Sequence, residues 1–287
     1  MTTYDQVGRT RNKTGFVRAL SATVRATADV GAAREGIIDG DARTADTASP
    51  VGRRPALSRD WPPGTVLGQL AEHTRDALVT LGRPAVYAAR QTIIRQGDHG
   101  GHAFLLLKGC VKVVVNTTFG RDVLIAVRGA GDLFGEMAVL EHQIRSANVI
   151  AGSPVHARLI RAAQLADFIE HRPDVSLAIA TVLSERLRSA DHHRVDLVAC
   201  PAPARVGRVL DEVLTRHGKP TPGGWLLGIP LNQVEIASLA GVSLSTVEKT
   251  LHVLQRDGVL RRQQRRIVVT DVRRLRRFSG STEDNPY

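Results

Sequence analysis

The stretch FGEMAVLEHQIRSANV, residues 134–149, decides how this 287-residue chain is read. It opens with Gly135-Glu136 and closes with Arg145-Ser146, and apolar, strand-like runs flank it on both sides. Glycine lets a backbone approach a ligand closely and adopt positive φ. A short helical turn over 137–140 would aim free N–H groups at an anion. Arg145 supplies a planar fork of donors that matches a phosphate. Glu136 can accept from a ribose hydroxyl, and Ser146 adds a donor. Together these suit a small cyclic ligand carrying phosphate and ribose better than they suit catalysis. On chemistry alone, a Glu136–Arg145 salt bridge closing a loop in a β-barrel explains the same residues.

Around this stretch the chain reads as short strands at 86–95, 103–107, 110–115, 123–127, 148–151 and 155–160, broken at Gln96-Gly97-Asp98, Gly109, Phe119-Gly120 and Gly129 to Asp132. Gly109 between two apolar runs is a tight-hairpin signal. Strands of this length and spacing predict a barrel or jelly roll. Residues 66–82 predict a helical lead-in with Leu67, Leu70, Leu78 and Leu81 on its apolar side, and 163–169 a short helix.

Residues 175–198 contain no Gly or Pro, and Ile179, Leu183, Leu187, Ala190 and Leu197 recur at helical steps. That predicts a helix of roughly 36 Å, whose narrow stripe suits a coiled-coil partner. His192 and His193 are adjacent and do not face one way on a helix, which argues against a metal site. Cys200-Pro201-Ala202-Pro203 ends the helix and reads as a hinge.

Beyond it, 206–217 predicts a helix, Gly223-Gly224 a turn and 225–228 a strand. The run LNQVEIASLAGVSLSTVEKTL, residues 231–251, reads as two short helices joined at Gly241, with Ile236, Leu239, Val247, Leu251 and Leu254 able to share one core. This is a helix-turn-helix pattern. Ser243 is a good N-cap for the second helix, which turns Leu244, Ser245, Thr246, Glu248 and Lys249 toward a major groove. A hairpin of 259–262 and 266–269, with Gln263-Gln264 at its tip, would add a wing carrying Arg261, Arg262, Arg265 and Arg266.

Composition is consistent with this plan. The length suits two ordinary domains, and 43 % apolar residues allow a real core. No apolar run approaches the ~18 residues of a membrane span, and no apolar segment near the N-terminus suggests a secretory signal. Cys110 and Cys200 make neither a disulfide framework nor a CxxC pair, so a reducing, cytoplasmic setting is expected. The net charge is +11, and residues 200–287 hold 14 basic against 8 acidic side chains, the surplus expected of a module that meets phosphate. Residues 1–60, rich in Arg, Ala, Thr and Gly without a persistent period, read as a mostly disordered extension.

The 134–149 stretch resembles the phosphate-binding cassette of cyclic-nucleotide-binding domains, in particular that of the CRP/FNR family of bacterial transcription regulators. The similarity runs from about residue 85 to about residue 272. It implies an α+β fold: a cyclic-nucleotide-binding β-roll of jelly-roll type over 61–171, a long dimerisation helix over 172–200, and a winged helix-turn-helix over 201–287. It implies that Gly135, Glu136, Arg145 and Ser146 hold the ribose and cyclic phosphate of cyclic AMP or another cyclic nucleotide. The implied partners are double-stranded DNA, a second copy of the chain and RNA polymerase, with no membrane, metal or catalytic residue. Iron–sulfur members need about four cysteines, and two are present.

The chain departs from the family in three places. Where cyclic-AMP binders present Thr followed by Ser or Asn to the base, this chain has Ala190-Asp191, so Asp191 would accept from a base amino group. Leu244 and Ser245 replace an Arg and a Glu at the start of the recognition helix, and Lys249 stands in for a later Arg, so the DNA sequence read should differ. Thr250 takes a usually aliphatic position, which should soften that helix's packing. As readings of the whole chain, a regulator that needs no nucleotide and an enzyme using Glu136 as a general base remain alternatives.

Overall fold

A computed structural model describes residues 61–263 and 266–281. The expected extension over 1–60, together with Gln264 and Arg265 of the wing, lies outside the described residues. The lead-in is two helices, α1 (Val66–Gln69) and α2 (Glu72–Thr80), rather than one, because Leu70 and Ala71 are extended. Eight strands follow: β1 (Arg83–Tyr87), β2 (Thr92–Ile94), β3 (His102–Lys108), β4 (Cys110–Asn116), β5 (Asp122–Gly129), β6 (Leu133–Phe134), β7 (Asn148–Ala151) and β8 (Val155–Arg161). The single strand expected over 86–95 is split into β1 and β2 by a turn in which Arg90 has φ 72° and the Gln91 side chain accepts from the Ala88 amide.

The strands form two antiparallel four-stranded sheets, ordered β1-β8-β3-β6 and β2-β7-β4-β5. This is a jelly roll, and it corrects the reading of Gly109. β3 and β4 do not pair as a hairpin; Gly109 turns the chain from one sheet into the other. Its φ is +94°, and a Cβ there would stand 2.3 Å from the Pro154 carbonyl oxygen, so the corner needs glycine on two counts. Tyr87, Phe104, Leu106, Phe134 and Val149 belong to one buried apolar cluster. In it the Phe104 and Phe134 rings stack at 5.0 Å.

Helix α3 (Glu136–Glu141) crosses the end of the roll, and α4 (Ala162–His171) leads into α5 (Pro173–Ala199), the long helix. Val175, Ala178, Ile179 and Val182 of α5 pack with α1, α2 and the first sheet. The stripe expected along α5 is therefore not one seam. Ile179 is buried against the chain's own roll and Leu183 packs against the same cluster, while Leu187 is 64 % exposed. The exposed apolar line instead runs through Leu177, Leu187, Val195 and Val198.

The chain breaks at Cys200 and Pro201 only; Ala202 and Pro203 already belong to α6 (Ala202–His217), where proline is tolerated in the first turn. The C-terminal module then adds β9 (Lys219–Thr221), β10 (Gly224–Leu226), α7 (Gln233–Ala240), α8 (Leu244–Arg256), β11 (Leu260–Gln263), β12 (Arg266–Val269) and α9 (Val272–Ser279). Its sheet is ordered β11-β12-β10-β9. Gln263 pairs with Arg266, so Gln263 belongs to the strand and not to the tip. Val206, Leu210, Ile236, Val247, Leu251, Leu254 and Leu275 form its core, which also takes in Cys110 and Leu124 of the roll.

Candidate ligand site and nucleic-acid interface

Gly135 caps the N-terminus of α3 at φ +75°, and a Cβ there would meet Arg145 Nη1 at 2.9 Å. The glycine thus gives the arginine room to reach the helix start. Arg145 is 4 % exposed and donates from Nη1 to the Gly135 carbonyl and from Nη2 to the His102 carbonyl, each at 2.7 Å. Its own backbone is pinned to the turn after β2: its amide donates to Asp98 and its carbonyl accepts from Gly97. Ser146, next along, is exposed. The cassette therefore brings Gly135, Glu136 and Arg145 together at the mouth of α3.

Glu136 does not pair with Arg145. Its carboxylate, 4 % exposed, takes the Arg186 guanidinium of α5 at 2.5 Å. Arg186 also reaches Asp132 at 3.3 Å and donates to the Leu133 carbonyl at 3.0 Å. The long helix is thus locked onto the cassette by one side chain that reading the sequence did not single out. Fifty residues separate the partners, and an Arg on a helix full of charges carries no local mark of such a bond. Asp191, by contrast, is not brought to the cassette. Its side chain is 61 % exposed and faces Arg194 at 3.9 Å, one residue past Ala190.

A cavity of about 260 Å³ lies between β5, α5, α6 and α7, lined in part by Arg128, Arg186, Ser189, His193, Glu212 and His217. Glu212 accepts from Ser189 at 3.0 Å and pairs with His193 at 3.1 Å. Burial alone would push the Glu212 carboxyl up, but the His193 hydrogen bond and charge, then Arg216 and Ser189, bring it down to about 2. The same hydrogen bond raises His193. Burial dominates at His217 and, with Arg216 and Arg128 nearby, lowers it to about 4.

In the C-terminal module the two helices are set by their caps. Asn232 accepts from the Glu235 amide at 2.9 Å while Glu235 accepts from the Asn232 amide at 2.8 Å, a reciprocal capping box. Gly241 closes α7 in the left-handed region, and Ser243 opens α8 by accepting from the Thr246 amide at 3.2 Å. Val247, Thr250, Leu251 and Leu254 face inward, so Thr250 does occupy a core position. The other face of α8 leaves Ser243, Leu244, Ser245, Glu248 and Lys249 exposed, with Thr246 half-buried. Arg261, Arg262 and Arg266 are exposed on the wing. The fourth wing arginine, Arg265, lies outside the described residues. An exposed helix face beside a basic hairpin is the geometry that enters a major groove while the hairpin meets phosphate.

Among the described residues no group of three or more His, Cys, Asp or Glu could hold a metal ion, and no helix is long and apolar enough to cross a membrane. Comparison with known proteins divides the chain in the same way. Residues 84–172 match the cyclic nucleotide-binding domain family, and residues 204–278 match the Crp-like helix-turn-helix domain. The cyclic AMP receptor protein of Thermus thermophilus is 33 % identical over 196 residues, spanning 67 % of this chain and 86 % of its own. A CRP-like cAMP-activated global transcriptional regulator of Mycobacterium tuberculosis is 28 % identical over 201 residues, 70 % of this chain and 90 % of its own. Among solved structures, FixK2 from Bradyrhizobium japonicum shares the fold with a TM-score of 0.60 at 22 % identity, over 69 % of this chain and 97 % of its own.

Proposed function

The chain belongs to the CRP/FNR family of DNA-binding transcription regulators, and we propose that it acts in the cytoplasm as a homodimer whose hold on DNA is set by a cyclic nucleotide in the 135–146 cassette. Arg145 with Ser146 would take the cyclic phosphate, and Glu136 with Gly135 the ribose. Lys249, Glu248, Thr246, Ser245, Leu244 and Ser243 would face base edges, with the wing arginines on phosphates. RNA polymerase is the further partner this reading implies. No catalytic role is proposed: Glu136, the candidate base, is held in a buried ion pair with Arg186.

One observation carries the proposal. Arg186 ties the carboxylate of the cassette to the long helix, and that helix leads through Cys200 and Pro201 into the DNA-binding module. A ribose hydroxyl arriving at Glu136 must share or displace the Arg186 contact, so the ligand acts directly on the element that positions the recognition helices. A ligand shifts such an equilibrium only through its differential affinity for the two arrangements. The exposed line of Leu177, Leu187, Val195 and Val198 supports the same helix as the dimer seam.

A regulator that needs no nucleotide is favoured by one fact: Arg145 and Glu136 already have partners inside the chain. The two readings separate in one experiment. DNA binding is followed by fluorescence anisotropy with and without millimolar cyclic nucleotide, for wild type and Arg145→Ala. Nucleotide-dependent DNA affinity in wild type, lost in Arg145→Ala, supports the proposal. DNA binding by wild type that no cyclic nucleotide alters establishes the nucleotide-independent reading instead.

A further inference from the structure

The cavity adjoins the cassette, because Arg186, which lines it, is bonded to Glu136. Its volume of about 260 Å³ equals roughly nine water molecules at their liquid volume, room for a purine. Apolar side chains such as Val209, Val213 and Leu239 share the lining with charged ones, the mix that binds a flat heterocycle with polar edges.

Two polar groups at this cavity have unused hydrogen-bonding capacity. Arg128, half-buried on β5, makes a single hydrogen bond among the described residues, from Nη1 to the neighbouring Val127 carbonyl at 3.0 Å, and no ion pair within 4 Å. Burial first, and the Arg186 charge next, lower its guanidinium to about 10, which still leaves it cationic at neutral pH. Among the described residues the buried His217 Nε2 has no hydrogen-bond partner. Asp132 and Glu136 offset part of the lowering at Arg128, yet most of the Arg128 donors stay unused, and unsatisfied groups lining one cavity point to a molecule that enters and satisfies them.

We infer that this cavity takes the base of the nucleotide and that Arg128, with Glu212, selects guanine over adenine, an inference that rests on the cassette holding a cyclic nucleotide. Guanine sets two acceptors, O6 and N7, side by side, the pair that an arginine fork matches. Its N1–H and N2–H₂ form an adjacent pair of donors for an ionised carboxylate, which accepts at about four positions. Glu212 is such a carboxylate, and its present partners, Ser189 and His193, are hydroxyl and imidazole donors that can shift. Adenine places its N6–H₂ donor beside each neighbouring ring acceptor, so the fork would meet an N–H and leave a buried donor unpaired. The base contact therefore falls to Arg128 on the strand rather than to Asp191 on the helix.

The test is calorimetric titration of the full chain with cyclic GMP and cyclic AMP, for wild type, Arg128→Leu and Arg128→Lys, with a thermal melt to confirm folding. Wild type should bind cyclic GMP at least about tenfold more tightly. Both variants should bring the two affinities within about threefold of each other, the Lys variant because it keeps the charge and loses the fork. A residue that only braces the strand would weaken both nucleotides alike and leave their ratio intact. If wild type binds both but prefers adenine or neither, or if both variants keep the wild-type ratio, the guanine assignment is wrong and the cassette reading stands. If wild type binds neither, the cassette reading fails and this inference goes with it.

Discussion

Replacing Arg186 with Met should cost the sensor more stability than any other single polar change near the cassette. The side chains of Arg186, Glu136 and Asp132 are 15 %, 5 % and 8 % exposed, which places the cluster among buried ion pairs, not surface ones. Methionine keeps most of the volume and removes the charge, so two carboxylates and the Leu133 carbonyl lose their donor. Breaking a buried pair from one side costs about 3–5 kcal/mol. At 2–4 °C per kcal/mol for a unit of this size, the lower figure predicts a melting temperature lower by roughly 6–12 °C. Glu136→Gln alone should cost less, about 1.5–3 kcal/mol, since the amide can still accept from Arg186. In the double variant the stranded charge at Glu136 is gone, so the two costs should fall short of additivity by at least about 1 kcal/mol. Thermal and urea unfolding of the four proteins measure the cycle. A loss under about 1 kcal/mol for Arg186→Met, or strict additivity, would refute the reasoning that this pair is buried and mutually dependent.

Three further outcomes follow from other parts of the molecule. Leu187→Glu puts like charges opposite one another in the proposed seam, and sedimentation should show a monomer; an unchanged dimer would move the interface elsewhere. Changing Arg262 and Arg266 to Ala should weaken binding to all DNA sequences alike and flatten the salt slope by up to ~2, whereas an altered sequence preference at constant slope would assign these residues to base reading. His217 has its pKa lowered by burial to about 4 from an ordinary 6.5, so the unfolded chain binds the extra proton first, and stability present above about pH 6.5 is lost as pH falls toward 4. His217→Gln should therefore lose less stability than wild type between pH 7 and pH 4.5, and parallel losses in the two proteins would count against it. His193 works in the opposite sense: its raised pKa contributes stability below about 6.5 that fades as pH rises through the folded value.

What the sequence made legible was local chemistry. Gly241 closes one short helix and Ser243 opens the next, and each signal is read from its immediate neighbours; the capping box of Asn232 and Glu235 went unread although it is equally local. Gly135 and Arg145 were legible for the same reason. Gly109 was not, because a hairpin and a corner between sheets ask the same thing of a glycine and differ only in which strands pair afterwards. Helix α9 escaped notice under its arginines, although Asp271 and Gly280 mark its ends and Leu275 is buried between them. Arg186 and Glu212 take their partners from distant elements, and a single sequence carries no trace of that proximity.

The junction of the two modules bounds what any effector must supply. Lys112 of β4 pairs with Glu235 of α7 at 2.5 Å, and the Ser238 hydroxyl accepts from the Leu124 amide at 2.8 Å while donating to the Leu124 carbonyl at 3.2 Å. Glu235 is at once the capping residue of α7 and the anchor to the roll, so the first helix of the DNA-binding pair cannot leave the roll without unsettling its own start. Three such bonds at about 0.5–1.5 kcal/mol each hold the module with roughly 1.5–4.5 kcal/mol, before the burial of Cys110 and Leu124 in the module's core is added. That corresponds to a bias of about tenfold to about 1,500-fold toward the docked arrangement. A nucleotide that releases the module must therefore bind the released arrangement tighter by at least that ratio. A ligand meeting only Arg145 meets a residue that donates to the Gly135 and His102 carbonyls of the roll. One that also engages Arg186 and Glu212 touches α5 and α6 together, and it is there that binding energy can be turned into movement of the recognition helix.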